Sequence, residues 1–372
     1  MKKILYIINV DWFFVSHFLP VGLEGLKRDY EVHIACGITE KKEYLESLGF
    51  VVHSLSISRS GMSIKTELKT IVEMYKIIKS INPQILEFFT IKPILYGGIA
   101  SRFFLIPTKV FYITGLGYVF ITKGLKGFFT RNLVKTLYKI AINGKNNSII
   151  TENIYDKELI KSLNAVNDAQ IGTIRGAGVD LSQYGYKKEN VENIKVSMVC
   201  RLLRDKGIFE YVSAVKILKQ KFPNIEFELY GDIDIDNPAS LTIEDIKKIK
   251  EEGFVNVYGF TNNVASVFSD SNIIVLPSYR EGLPKVLIEA AACGRAVVTT
   301  DVPGCRDAIE PDVTGLLCKV RNSESLAQMI EKLIIDENLR NSMGKAGREL
   351  AEKEFDIKKV VKKHFEIYEK NV

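Results

Sequence analysis

The segment NIIVLPSYREGLPKVLIEAAACGRAVVTTDVPG, residues 272–304, has the order of elements strand, loop, helix and strand. An apolar run ends at Pro277, a helical stretch follows over residues 285–293, and Gly294 is a natural C-terminal stop for that helix. Pro284 stands where the first helical turn should begin, a position that proline favours. In an open α/β sheet, ligands bind beyond the carboxyl ends of the strands, so the loop before this helix is where we first expect a ligand.

The same alternation of short β-rich runs with helical periodicity continues along the chain, which is typical of parallel sheets joined by crossover helices. The runs are rich in valine and isoleucine, as in strands that are buried on both faces. A helix is predicted over residues 64–81, and the residues on its apolar face are Leu68, Ile71, Val72, Tyr75 and Ile78. The predicted strands are residues 3–9, 31–36, 50–55, 85–89, 109–114 and 148–151 in the first half, and 194–200, 225–230, 255–259, 272–277 and 296–300 in the second.

At 372 residues the chain exceeds one ordinary hydrophobic core, so two domains are expected. The segment 172–193 contains four glycines followed by charged and asparagine residues without periodicity, which is typical of an interdomain linker. We therefore predict an α/β protein with two Rossmann-like domains facing across a cleft, one over residues 1–180 and one over residues 181–352. A C-terminal helix, residues 353–372, is expected to pack back on the N-terminal domain.

Composition argues against several classes of protein. Hydrophobic residues make up 46% and charged residues 26% of the chain, and no apolar run approaches the roughly 18 residues of a membrane span. The run MKKILYIINVDWFF reaches Asp11 too early for a secretory signal and is interpreted as the first strand. Five scattered cysteines without a CxxC pair indicate free thiols in a reducing cytoplasm, and we expect no nucleic acid partner because no such binding pattern occurs.

Between Glu87 and Glu152 lie 64 residues with nine basic side chains, twelve aromatic ones and no acidic one. A basic surface with amphipathic aromatic segments favours anionic lipid headgroups or a diphosphate-bearing acceptor. The alternative is that the aromatics are core residues and the lysines are merely solvated. The side chains expected to meet the membrane or the acceptor are Lys123, Lys126, Arg131 and Lys135.

Two carboxylates, Glu281 and Glu289, stand eight residues apart in the opening segment. Eight helical residues rise about 12 Å, so the pair cannot flank one bond as a glycosidase pair does at about 5–9 Å, and we expect the two to grip different parts of one ligand. The amides after Gly282 have no intrahelical acceptors and are available to a phosphate. The alternative, on these residues alone, is that Glu289 is a solvated helix residue and Glu281 a turn residue.

The sequence EGLPKVLIEAAACG resembles the E-x7-E signature of glycosyltransferase family 4, with Glu281 and Glu289 at its two ends. The resemblance extends to CRLLRDKG (200–207), where the family has an arginine followed five residues later by a lysine. Its other parts are LYGDID (229–234), VYGF (257–260) and DVPGCRDAI with TGLL (301–317). It spans nearly the whole second half of the chain and implies the GT-B fold.

The resemblance implies a role for each matching residue. Arg201 and Lys206 would neutralise the diphosphate of a nucleotide-sugar donor, which suits a forked guanidinium and a point-charge ammonium. Glu289 would accept hydrogen bonds from the ribose hydroxyls, and Glu281 would face the donor sugar. The other donor-binding residues that it implies are Gly231, Phe260, Gly282, Leu283, Pro284 and Lys285.

The first half matches the family less closely. NVDWFFVSHFLP, residues 9–20, replaces the glycine-rich turn that many relatives have after the first strand. His17 is a candidate to touch an acceptor or donor phosphate, with a hydrogen-bonded histidine at a helix start as the alternative. Thr114, in TGLGYVF, stands where many relatives carry a histidine near the reacting sugar, so the backbone amides of Gly115 or Gly117 are candidates to assist the leaving oxygen.

The resemblance implies a retaining transferase, similar to bacterial enzymes that extend undecaprenyl-diphosphate-linked glycans. We expect transfer of a hexose or N-acetylhexosamine from a UDP-sugar to a polyprenyl-diphosphate-linked glycan at the cytoplasmic face of the inner membrane, in assembly of a surface polysaccharide such as O-antigen. The catalytic candidates are Glu281, Thr114 and His17. No metal or other cofactor is expected, since DID at 232–234 is interpreted as a loop. The alternatives are a nucleotide-sugar 2-epimerase on the same scaffold and a non-catalytic membrane-bound scaffold.

Overall fold

The computed structural model describes residues 1–57, 64–116, 125–235 and 237–370. The chain divides into two compact units, one formed by Met1–Ala177 with Lys358–Val372 and the other by Gly178–Ile357. Each unit is built on one sheet whose described strands pair in parallel, with helices between successive strands. The predicted fold class, α/β with two Rossmann-like domains, is therefore confirmed.

The strands of the first unit are β1 (Lys3–Val10), β2 (Glu31–Gly37), β3 (Val51–Ser54), β4 (Ile85–Phe89), β5 (Thr108–Ile113), β6 (Asn147–Thr151) and β7 (Ile171–Thr173). Its helices are α1 (Asp11–His17), α2 (Leu19–Lys27), α3 (Lys42–Ser47), α4 (Ile64–Ile81), α5 (Gly98–Ala100), α6 (Leu125–Ile142) and α7 (Ile154–Ser162). The strands lie in the order β3-β2-β1-β4-β5-β6-β7. The chain thus moves outward from β1 to β3 on one side and continues on the other, so the strand order reverses between β1 and β4.

The strands of the second unit are β8 (Lys195–Val199), β9 (Glu226–Tyr230), β10 (Asn256–Val257), β11 (Ile273–Leu276), β12 (Ala296–Thr300) and β13 (Gly315–Cys318). Its helices are α8 (Ile208–Lys221), α9 (Ile243–Glu252), α10 (Val264–Asp270), α11 (Lys285–Ala292), α12 (Ser323–Ile335) and α13 (Glu337–Leu350). The strand order is β10-β9-β8-β11-β12-β13, so it reverses between β8 and β11. Such a reversal is the usual place for a ligand in a doubly wound sheet.

The predicted linker, residues 172–193, is more ordered than its composition suggests. It begins inside β7, which pairs with β6, and its glycines 176 and 178 have positive φ angles of 73° and 80°. Further along, the buried Arg340 donates to the buried Glu189 at 2.8 Å. The glycines therefore mark tight turns, and the interpretation of the whole segment as a linker is wrong for its first residues, because three strand residues are too few to show periodicity.

Helix α4 has the predicted bounds, and its predicted apolar face is confirmed in part, because Ile71, Tyr75 and Ile78 pack in the core of the first unit. Thr70, Met74 and Ile78 are each 0% exposed, whereas Leu68 is 59% and Val72 is 51% exposed. Apolar residues occur on more than one side of this helix, so periodicity alone could not tell which side packs on the sheet.

The last helix, α14 (Ile357–Tyr368), packs on the first unit. Phe365 is 1% exposed, and the Arg28 guanidinium lies 4.3 Å from the centre of its ring. The Tyr368 hydroxyl donates to the buried Glu87 carboxylate of β4, and the His364 ring stacks on Tyr112 at 5.3 Å. These contacts join the C-terminal end of the described chain to the core of the first sheet.

Candidate active site

The candidate donor site lies at the carboxyl edge of the second sheet, where the strand order reverses between β8 and β11. Both strands are parallel, so the loops that follow them leave the sheet at the same edge. The loop after β8 carries Arg201 and Lys206, and the loop after β11 carries Glu281. Residues that are 75 positions apart along the chain are brought together here.

Lys206 and Glu281 form an ion pair between these two loops. The Lys206 ammonium lies 2.5 Å from Oε1 of Glu281, and the Ser278 hydroxyl donates to the same oxygen at 2.7 Å. Their side chains are only 15% and 13% exposed. Burial alone would lower the pKa of Lys206, but the Glu281 carboxylate outweighs it and raises that pKa above its ordinary value. Lys206 therefore stays cationic at neutral pH.

Glycines allow the loops to approach this closely. Gly207 follows Lys206 with a φ of +77°, and a Cβ there would collide with the carbonyl oxygen of Pro277 at the end of β11. Gly304, with a φ of +83°, lies against the backbone carbonyls of Glu281 and Gly282 in the same way. Any side chain at either glycine would push one loop from the other and pull the ion pair apart.

Helix α11 begins directly after this loop. Pro284 has φ −70° and ψ 118° and is the N-cap of the helix, which begins at Lys285 as predicted. Leu283 and Pro284 are buried, and Gly282 is half-buried. Extended backbone at a proline cap matches its fixed φ angle, and it directs the first amides of α11 toward the same edge of the sheet.

Glu289, on the second turn of α11, is 5% exposed. Lys285 lies 3.3 Å from its carboxylate. Burial raises the pKa of Glu289, and this outweighs the opposing effects of Lys285 and of a hydrogen bond from Tyr184. The alternative interpretation of Glu289 as a solvated helix residue is therefore wrong, and Tyr184 is a partner that the sequence offered no signal to find.

Arg201 precedes Lys206 by five residues in the segment after β8, and its side chain is 46% exposed. Its guanidinium donates to the Asp234 carboxylate at 3.0 Å. This hydrogen bond occupies one carboxylate oxygen of the DID sequence. The positive charge of Arg201 acts to lower the pKa of Lys206. Among the described residues, no group of three or more His, Cys, Asp and Glu side chains is placed to hold a metal ion.

A cavity of about 430 Å³ opens beside these loops, along the ends of β9 and β10. Gly231 lines it with a φ of +145°, where a Cβ would collide with the carbonyl oxygen of Cys200. Phe260, predicted with Gly231 as a donor contact, is 71% exposed and does not line the cavity. Lining residues that sequence reasoning missed are Leu202, Asp232, Ile243, Tyr258 and Gly259.

The first unit holds the remaining catalytic candidates. His17 is the last residue of α1, not the first as the alternative had it, and its Nδ1 lies 2.6 Å from the Ser16 hydroxyl. Its ring stacks on Phe13 at 4.1 Å. Thr114 directly follows β5 and is half-buried, while Gly115 has a φ of +113°.

The predicted basic surface is described only in part. Arg131 and Lys135 lie on α6, half-buried and exposed respectively. Lys123, the Lys126 side chain and Gly117 lie outside the described residues. Within the described chain, every helix is too short or too polar to cross a membrane.

The chain matches two family models. The model of glycosyl transferases group 1 matches residues 186–350, and the model of glycosyl transferase 4-like proteins matches residues 3–153. The first match lies in the second unit and contains Arg201, Lys206, Glu281 and Glu289. The second match lies in the first unit and contains His17 and Thr114.

Curated relatives cover most of the chain. It is 28% identical to the N,N'-diacetylbacillosaminyl-diphospho-undecaprenol alpha-1,3-N-acetylgalactosaminyltransferase of Campylobacter jejuni, over 96% of each protein. It is 27% identical to the capsular polysaccharide biosynthesis glycosyltransferase CapM of Staphylococcus aureus, over 95% of this chain and 93% of the relative. It is 25% identical to the UDP-Gal:alpha-D-GlcNAc-diphosphoundecaprenol alpha-1,3-galactosyltransferase of Escherichia coli, over 83% and 81%.

The structure of Anabaena Alr3699/HepE in complex with UDP and glucose is similar to this chain with a TM-score of 0.76. The two are 18% identical, and the likeness covers 98% of this chain and 99% of that one. Such a likeness concerns the fold, and it agrees with the GT-B architecture that the sequence implies.

We predict that Glu289→Gln weakens UDP binding without lowering the stability of the protein. The pKa of Glu289 is raised in the folded state, so its ionised carboxylate makes the folded state less stable. This loss of stability grows as the pH rises from the pKa of the unfolded state through that of the folded state. Removing the charge should therefore leave the free energy of unfolding at pH 7 unchanged or increased. Affinity for UDP should fall at least tenfold, because a charged hydrogen bond contributes about 1.5–3 kcal/mol.

Denaturant unfolding and calorimetry measure the two quantities, with Glu349→Gln, at an exposed position of α13, as the matched control. Unchanged UDP affinity, or a loss of affinity that follows a loss of stability, would contradict a ligand-binding role for Glu289.

Proposed function

Because the chain belongs to the glycosyl transferases of group 1 and carries a glycosyl transferase 4-like domain before the group 1 domain, we propose that it extends a lipid-linked glycan. It transfers a hexose or N-acetylhexosamine from a UDP-sugar to a polyprenyl-diphosphate-linked glycan, with retention of anomeric configuration. The observation that carries the proposal is the Lys206–Glu281 pair, with Arg201 beside it, at the strand-order reversal of the second sheet.

The donor half of the proposal follows from charge. Lys206 and Arg201 offer two cations in neighbouring positions of one loop, which matches the two phosphates of a nucleotide diphosphate. The first-turn amides of α11 add uncharged donors beside them. Glu289 accepts hydrogen bonds from the ribose, and the cavity that Gly231 lines takes the base.

Glu281 has a different role in the proposal, which is to orient the donor sugar. Its Oε1 already accepts from Lys206 and Ser278, so the carboxylate is held in one orientation. A fixed carboxylate beside the donor sugar can accept hydrogen bonds from sugar hydroxyls and orient the ring. The leaving diphosphate then acts as the base for the acceptor hydroxyl, while the backbone after Thr114 and the His17 side chain serve the acceptor side.

The names of two relatives support the acceptor class. The Campylobacter jejuni enzyme is named for an undecaprenol-linked diphospho-sugar acceptor, and so is the Escherichia coli enzyme. The relatives are named as transferases, which favours transfer over the 2-epimerase alternative. The donor site has all of its candidate residues, which argues against a non-catalytic scaffold.

An acceptor of this kind resides at a membrane surface, and one face of the first unit suits such a surface. Arg102 joins the segment after α5 to α6 by donating to the Ile140 carbonyl at 2.8 Å, and Tyr75 of α4 packs on Phe104 at 5.0 Å. Exposed apolar side chains on these elements are Leu68, Val72, Phe103, Leu105, Leu133 and Ile140. Exposed cations among them are Lys69, Lys76, Arg102, Lys135 and Lys139. Apolar side chains surrounded by cations favour the cytoplasmic face of an anionic bilayer.

We predict that Glu281→Gln lowers turnover at least a hundredfold and changes the UDP dissociation constant less than threefold. The reason is that the proposed partner of Glu281 is the donor sugar, so its loss is felt in the transition state rather than by the nucleotide. Steady-state kinetics and calorimetry test this, with Glu349→Gln as control, and NMR coupling reads the anomeric configuration of the wild-type product. Full turnover in Glu281→Gln would exclude the role, and an inverted product would exclude retention.

We predict that the protein sediments with vesicles of anionic phosphatidylglycerol at low salt and less with neutral phosphatidylcholine. Added salt should release it, because exposed charges are screened over about 8–10 Å at moderate ionic strength. Arg131→Glu with Lys135→Glu should weaken sedimentation at least fivefold and leave UDP affinity unchanged.

The matched control for vesicle binding is Lys362→Glu with Lys363→Glu, the same change of charge at exposed positions of α14, which packs against α2. Equal sedimentation of the α6 variant and the control, or no preference for anionic vesicles, would mean that these cations are only solvated surface.

A further inference from the structure

Tyr279 joins the loop that carries Glu281 to two other loops at the carboxyl edge of the second sheet. Its amide donates to the Asp205 carbonyl at 2.8 Å, directly before Lys206 in the loop after β8. The guanidinium of Arg321, in the turn between β13 and α12, lies 4.5 Å from the centre of its ring. Segments that follow three different strands therefore meet at one residue, whose side chain is half-buried.

The Tyr279 hydroxyl provides a further link, to the first turn of α8. It donates to Oε1 of Glu210 at 2.7 Å. Burial and the Glu210 carboxylate raise the pKa of Tyr279 to about 12, so the hydroxyl keeps its proton and remains a donor at neutral pH. A hydrogen bond to a charged acceptor is shorter and stronger than one between neutral groups, so it holds the ring at a defined distance from α8.

This hydrogen bond spans the same two segments as the Lys206–Glu281 ion pair. On one side, Ser278 stands directly before Tyr279, and its hydroxyl donates at 2.7 Å to the Glu281 oxygen that also accepts from Lys206. On the other side, Glu210 follows Lys206 by four residues. The bond between Tyr279 and Glu210 therefore limits how far the two partners of the ion pair can separate.

Glu210 has only half of its hydrogen-bonding capacity in use. Its other oxygen, Oε2, is buried and has no hydrogen-bond partner within the described part of the chain. A buried carboxylate with an unpaired oxygen costs folding free energy, and an apolar pair of similar shape would be about as stable or more so. Stability alone does not explain this pair, whereas its place between the segments of Lys206 and Glu281 does.

We infer that Tyr279 is a positioning residue, which holds the Glu281 carboxylate in place beside Lys206. The role rests on the proposed function, because Tyr279 acts on the donor sugar through Glu281. A displacement of about 1 Å at a catalytic group can lower a rate about a hundredfold, so a small shift of this loop is felt in turnover. UDP binding depends on it far less, because the proposed contacts of the diphosphate are the cations after β8.

The experiment uses the full chain and three variants. Tyr279→Phe keeps the ring beside Arg321 and removes the hydroxyl, and Glu210→Gln keeps an acceptor oxygen. The double variant, Tyr279→Phe with Glu210→Met, replaces both partners by apolar side chains. Tyr44→Phe, at an exposed position of α3, is the matched control. Transfer is measured from the UDP derivatives of glucose, galactose, N-acetylglucosamine and N-acetylgalactosamine to farnesyl diphosphates that carry one of the same sugars.

We expect Tyr279→Phe to lower kcat at least tenfold and to change the UDP dissociation constant less than threefold. Glu210→Gln should keep kcat within threefold of the wild type, because its amide oxygen still accepts from Tyr279. The double variant should have the Tm of the wild type, since no partner is left unpaired, but not its kcat, since apolar contact is not directional. In its crystal structure the Glu281 carboxylate should be displaced by about 1 Å or more relative to Lys206.

The outcomes separate the positioning role from the proposed function. The role is overturned, and the proposed transfer stands, if Tyr279→Phe keeps kcat within twofold of the wild type or if Glu210→Gln loses as much kcat as Tyr279→Phe. A double variant that regains kcat together with Tm, or that leaves the Glu281 carboxylate in place, overturns the role in the same way. A wild type that transfers none of these sugars, with a displaced carboxylate in the double variant, overturns the proposed function and supports the positioning role.

Discussion

The ion pair between Lys206 and Glu281 is the interaction on which the second unit's site depends. Each charge is largely removed from water, and each is stabilised by the other. Removing one partner of such a pair leaves a buried charge and costs about 3–5 kcal/mol. The pair also joins the loop after β8, which carries Arg201, to the loop after β11, which leads into α11 and Glu289.

The two units share one architecture but differ in the side chains at the carboxyl edges of their sheets. Each has a parallel sheet whose strand order reverses once in its described part, and each places polar side chains at the carboxyl edge of that reversal. In the second unit the edge is cationic and has amides beside it, which suits an anion. In the first unit the segment after β1 has the buried Asp11 carboxylate and the aromatic rings of Trp12 and Phe13.

The sequence predicts those features that depend on near neighbours. The strand, loop and helix around Glu281 follow from apolar periodicity and from the glycine at 294, which has a φ of +72°. Features that depend on distant contacts could not be predicted. Nothing near Arg201 indicates that Asp234 binds it, and nothing in α11 shows that Tyr184 covers Glu289.

Short elements and ambiguous faces account for the other differences. Strand β7 has only three residues and leads into a glycine-rich turn, so the composition of this segment suggests a linker. In α4, apolar residues at Leu68 and Val72 could equally have faced the sheet, and only packing decides that they are exposed.

The central claim is that the cations after β8 bind the diphosphate of the donor, and calorimetry of UDP against uridine tests it most directly. Arg201→Ala changes a side chain that is 46% exposed, so the fold should not be disturbed. We expect this variant to bind UDP at least tenfold more weakly than the wild type, about 1.4 kcal/mol or more, and to bind uridine equally well. Unchanged UDP affinity, or equal losses for UDP and uridine, would contradict it.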